Sequence, residues 1–165
     1  MARAAKDQAE NAVYQGFVGD VKILLAIDGS KFSEAATQAV IAQMRPKEAE
    51  VRVLHVTEPL LATYGGMEGA YVRRAVAEEQ RADAESLVTH TAKVLRDAGF
   101  QVTTAIEGGS AKSVIIDSAT QWPAELIVTG SHGRKGLGRF LMGSVAEAVV
   151  RHAPCSVQVV RIPKK

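Results

Sequence analysis

The sequence predicts an α/β fold: a single, doubly wound five-stranded parallel sheet in the order 3-2-1-4-5, with helices on both faces. Three observations carry that expectation. Five short apolar runs alternate with longer, charged or Ala-rich segments along the chain. The runs are dense in Val, Ile and Leu, as strands covered on both faces are. Glycine and small polar residues gather where the runs stop, at the end of such a sheet where ligands sit.

The elements follow in order. Val21 to Asp28 (VKILLAID) is the first strand. A helix follows, with Ser33 as the expected N-cap and Ala36, Ala39, Val40 and Met44 on one face; Pro46 lies just past it. Glu50 to Glu58 is the second strand, and Gly65 and Gly66 mark a loop. From about Met67 to Asp97 the chain is Ala-rich, heavily charged and free of proline. It reads as one long amphipathic helix closed by Gly99. FQVTTAIE is the third strand. Ser110 is the expected cap of the third helix, which stops before Pro123. ELIVTG is the fourth strand, SVAEAVVRHA a helix ended by Pro154, and SVQVVR the fifth strand.

Length and composition bound the function. At 165 residues the chain is one domain, read as residues 21–163 preceded by a polar extension, 1–20, expected to be mobile. That extension has no apolar core and carries Asp7, Glu10 and Asp20, so it is not a signal peptide. No stretch approaches the roughly 20 apolar residues of a membrane span. A cytoplasmic protein without membrane partners is expected. The net charge of +2 and an aromatic content of 5% argue against a nucleic-acid partner. The single cysteine, Cys155, has no disulfide or metal partner of its own kind; it reads as a buried small hydrophobe or a reactive thiol.

The densest chemistry lies in GSHGRKGLGRFLMGS, Gly130 to Ser144. Glycines admit close backbone approach and positive φ, and consecutive N–H groups can cradle an anion. Gly143 and Ser144 open the fourth helix, whose N-terminus also favours negative charge. Arg134, Lys135 and Arg139 add positive charge. The competing reading is a solvated loop with an ordinary cap, since Ser144 to Glu147 matches the capping box S-x-x-E. No Walker motif, dinucleotide fingerprint, catalytic constellation or metal-ligand spacing is present. His132 is a candidate for a phosphate or general-acid contact, and His55 reads as packing. Asp28, at the end of the first strand, either accepts hydrogen bonds from a ribose diol or makes a local Asx turn or helix cap.

Gly130, two residues, Gly133, nine residues, then Gly143-Ser144 resembles the G-2x-G-9x-G-(S/T) motif of the universal stress proteins. ILLAIDGS, VRVLHV and GLGRFLMGSVAEAVVRHAPCSVQVVR extend the resemblance over about residues 21–161. It implies an adenine nucleotide alpha hydrolase-like fold and the branch that binds ATP or AMP, with Mg²⁺ or Mn²⁺ as a companion of ATP. By position, Asp28 would hold the ribose, and Ala26 and Val56 would border the adenine. Gly130, Ser131, His132, Gly133 and Arg134 would wrap ribose and phosphates, with Gly143, Ser144 and Val145 also on the phosphates. The resemblance further implies a homodimer through the last strand, Ser156 to Arg161. The function expected is a ligand-dependent regulator of an unknown protein partner in the stress response. The alternatives are a slow ATPase or phosphotransferase in the same pocket, and a chaperone-like dimer with a vestigial one.

Overall fold

The computed structural model describes residues 20–58, 66–133 and 142–162. Of the extension read as 1–20, residues 1–19 lie outside the described residues, as do Arg134, Lys135 and Arg139. Strands β1 (Val21–Ile27), β2 (Ala49–Thr57), β3 (Gln101–Gly108), β4 (Leu126–Gly130) and β5 (Ser156–Val160) alternate with helices α1 (Lys31–Gln43), α2 (Gly66–Asp97), α3 (Ala111–Gln121) and α4 (Ser144–His152). They form one sheet in the order β3-β2-β1-β4-β5, parallel throughout. This is the expected architecture, and the strand order reverses between β1 and β4.

Side chains alternate across a strand, so the central strand feeds two cores. Ile23, Leu25 and Ile27 of β1 pack with Val51, Val53 and Val128 beneath Ala36 and Val40 of α1 and Val88 and Leu95 of α2. Leu24 and Ala26 face the other way, with Leu54 and Ile127, against Ile115 and Ala119 of α3 and Val149 of α4. Each fully buried Leu or Ile contributes about 1.5–3 kcal/mol. That is why β1 tolerates no polar residue between Ile23 and Ile27.

Two helix termini show how local chemistry fixes direction. The cap of α1 falls three residues before the expected one, Ser33. Ser30 is the N-cap, its Oγ accepting from the Ser33 N–H at 3.3 Å, while the Ser33 hydroxyl donates to the Ser30 carbonyl at 2.9 Å. Ser33 is thus inside the first turn and buried. α2 ends at Gly99, whose φ of +95° is left-handed. The Gly99 N–H donates to the Arg96 carbonyl and the Phe100 N–H reaches back to Leu95, the Schellman pattern. Phe100 is then buried in the core.

Candidate functional site

The register carries the two candidate loops to one place. β1 and β4 pair from Ile23↔Leu126 to Ala26↔Thr129. Two residues further along, Asp28 leaves β1 and Ser131 leaves β4, side by side at the carboxyl end of the sheet. Ala26 lies just below in the core of the second face, and Val56, one residue past the Ile27↔His55 pair, is half-buried against that core. His55 ties the neighbouring strand in: its Nδ1 lies 2.8 Å from the Ile27 carbonyl, which can only accept, so Nδ1 carries the proton.

The wall after β1 is made of a turn. Asp28 Oδ1 accepts from the Ser30 N–H at 3.0 Å, the Asx turn that the sequence left as one of two readings. Gly29 between them has φ +76°, the left-handed region that glycine enters without strain.

The wall after β4 is made of missing side chains. A Cβ on Gly133 would sit 2.8 Å from Asp28 Oδ2. A Cβ on Gly130 would sit 2.7 Å from the Phe32 carbonyl carbon and from its Cβ. One on Gly143 would meet the Ser131 oxygen at 3.0 Å and His132 Cα at 3.2 Å. Positive φ occurs, among the described residues, at Gly29, Gly99 and Gly109 alone among glycines. The motif glycines therefore serve close approach, and the expectation that they supply left-handed backbone is corrected. Gly130 serves the close packing of α1 on β4.

The loop is pinned at both ends. The Ser131 N–H donates to the Val160 carbonyl of β5 at 2.8 Å, and the Gly143 N–H donates to the Ser131 carbonyl at 2.8 Å. Gly143 occupies the N-cap of α4 with φ −62°, so Ser144 is the first helical residue and Val145 the second. The capping box expected of Ser144 and Glu147 does not form. Glu147 turns along the helix to Arg151 Nη2 at 2.8 Å instead, because the cap position falls one residue earlier than the box requires.

Ser131 is 1% exposed, and its Oγ lies 3.1 Å from His132 Nδ1. The His132 ring leans on Phe32 at a centroid distance of 5.1 Å, and Lys31 Nζ lies 5.3 Å over the Phe32 ring. His132 Nε2 is buried without a hydrogen-bond partner among the described residues. A buried ring nitrogen left unpaired costs about 1–3 kcal/mol, a cost that a polar group meeting it would remove. Phe32 and Lys31 escaped the sequence reading. Their only signal was adjacency to Asp28-Gly29-Ser30.

Among the described residues no group of three or more His, Cys, Asp or Glu side chains is placed to hold a metal. Cys155 packs against the second core, and burial, with the charge of Glu125, pushes its thiol up despite an opposing backbone hydrogen bond from Ile127. A groove of about 380 Å³ lies elsewhere, over β2 and β3, between Thr57, Ile106 and Arg81 of α2. It holds none of the residues above.

A doubly wound parallel sheet with a glycine-lined crevice at its reversal point defines the class: a doubly wound α/β domain. Residues 21–161 match the Universal stress protein family, and the chain belongs to it. A Staphylococcus aureus (strain USA300) protein assigned to the universal stress proteins is 36% identical over 141 residues, 84% of this chain and 82% of that one. The universal stress protein UspA of Lactobacillus plantarum, 26% identical, superposes with a TM-score of 0.75 over 88% of this chain and all of that one. A family member from Arabidopsis thaliana solved with AMP bound shares the fold at a TM-score of 0.63 and 18% identity, over 87% of this chain and 92% of that one. No helix among the described residues is long and apolar enough to cross a membrane.

Proposed function

We propose that the chain binds an adenine nucleotide, ATP or AMP, in the crevice between β1 and β4. The observation that carries this reading is the convergence of Asp28, Gly133 and Gly143 with the orphaned His132 Nε2 at one point of the sheet. A carboxylate suits ribose hydroxyls. Bare backbone and the first amides of α4 suit phosphates, and the family member solved with AMP bound supports the ligand class. Ala26 and Val56 border the adenine. Ser131, His132, Arg134, Ser144 and Val145 contact ribose or phosphates, and Mg²⁺ or Mn²⁺ accompanies ATP. Ligand occupancy then sets the surface offered to a protein partner in the cytoplasm. Among the described residues β5 pairs only with β4, and its other edge, Ser156 to Arg161, joins a second copy as a homodimer.

Mass spectrometry of the ligand carried through native purification tests the first claim. Stoichiometric AMP or ATP is expected. A protein that purifies empty and takes up neither nucleotide in a calorimetric titration refutes it.

A further inference from the structure

Helix α2 outruns the sheet it covers. Its 32 residues span about 48 Å, against roughly 30 Å for the nine residues of β2. Among its residues from 70 onward, the buried positions, Ala84, Val88, Thr91, Ala92 and Leu95, fall in the second half of the helix. From 70 to 83 every residue is exposed or half-buried, with Tyr71 at 83% and Val72 at 51% exposed. The helix crosses β2 and β3, on the far side of the sheet from β5.

One row of charges runs along this projecting half and on to Glu85, its last two members also lining the groove over β2 and β3. Arg74 Nε donates to Glu78 Oε1 at 2.9 Å, and Arg81 Nε donates to Glu85 Oε1 at 2.9 Å. Steps of four, three and four residues keep all four side chains on one side of the helix. Tyr71, Ala75 and Ala82 run beside them at spacings of four and seven. The row reads plus, minus, plus, minus from Arg74 to Glu85. Turned end for end, it reads minus, plus, minus, plus. A second copy laid antiparallel therefore sets Arg74 against Glu85 and Glu78 against Arg81, twice over. A copy laid parallel sets like against like. Antiparallel pairing of one patch with itself is what a two-fold axis makes, and small residues such as Ala75 and Ala82 allow close helix approach.

We propose that the projecting half of α2 is a self-complementary docking surface for a second copy of this chain, antiparallel and centred between Glu79 and Gln80. It is separate from the β5 edge and independent of any nucleotide. Exposed ion pairs are individually weak, so the contact depends on all four acting with the apolar strip, and it fades with salt.

Sedimentation of the full chain at low salt tests it with two doubly substituted variants. Arg74→Glu with Arg81→Glu makes the row wholly acidic; Glu78→Arg with Glu85→Arg makes it wholly basic. Each alone should self-associate about tenfold more weakly than wild type. Their equimolar mixture should recover wild-type mass or exceed it. The fourfold reversal keeps both pairs within the helix and the complementarity between helices, so it should associate as wild type does even if the double variants lose helix. Any association through β5 is common to all the proteins and cancels in the comparison. A mixture no heavier than its components, a fourfold variant as weak as the double ones, or double variants that associate like wild type would each overturn the proposal.

Discussion

The two walls of the crevice hold their shape by different physics. The wall after β1 is a turn whose geometry comes from a left-handed glycine, Gly29, and a side-chain-to-backbone bond, Asp28 to Ser30. The wall after β4 is held by exclusion: Gly130, Gly133 and Gly143 sit where neighbouring atoms leave no room for a Cβ, at ordinary φ. A conformational glycine yields to any residue that accepts its φ. A steric glycine yields to none unless its neighbour moves. The walls should therefore fail differently under substitution.

The largest effect falls where the neighbour cannot move. Gly130→Ala would drive a methyl into the Phe32 backbone at 2.7 Å, and α1 is fixed there by its own cap. Stability should fall by about 3 kcal/mol, read from urea unfolding. A loss under 1 kcal/mol would show that α1 can slide and that the wall is soft.

Gly143→Ala comes next, at about 1–2 kcal/mol, because its tightest contact is 3.0 Å to a loop carbonyl that can give slightly. Nucleotide affinity should fall with it, and unchanged affinity in calorimetry would separate the wall from the site.

Gly133→Ala should cost about 1 kcal/mol, since the obstacle is the mobile end of Asp28. The sharper reading is a double-mutant cycle. In an Asp28→Gly background the Gly133→Ala penalty should largely vanish, giving a coupling above about 0.5 kcal/mol. Additive penalties would mean that the two loops do not touch in solution.

No larger effect is expected of the first wall, where φ rather than volume decides. Gly29→Ala should cost about 1 kcal/mol, and Gly29→Asn less, because asparagine tolerates left-handed backbone. An asparagine as costly as alanine would make Gly29 steric as well and erase the contrast.

The same contrast explains what was legible in the sequence. Local signals carried far: the apolar runs gave all five strands, Gly99 gave the end of α2, and the one ambiguous acid, Asp28, turned out to make its local turn. The cap of α3 falls on Ser110 as expected, while those of α1 and α4 slipped by three residues and by one. Ser30 and Ser33 are both competent caps, and only the turn at Gly29 decides for Ser30. S-x-x-E at Ser144 was a true motif in the wrong frame, since Gly143 is the cap. The reasons for Gly130 and Gly133 were invisible. Each answers to a residue about a hundred positions away, Phe32 and Asp28, that becomes a neighbour only after β1 and β4 pair. The glycine spacing itself could be read, but not whether φ or volume demanded it.

Calorimetric titration of AMP and 2′,3′-dideoxy-AMP into wild type and Asp28→Ala bears most directly on the crevice as a nucleotide site. If the Asp28 carboxylate holds the ribose, its removal costs a charge-assisted hydrogen bond of roughly 1.5–3 kcal/mol. AMP should then bind about ten- to a hundredfold more weakly to the variant, while the dideoxy ligand, lacking both hydroxyls, binds the two proteins about equally. Equal weakening of both ligands, or no weakening of either, would contradict the account and leave Asp28 with its turn alone.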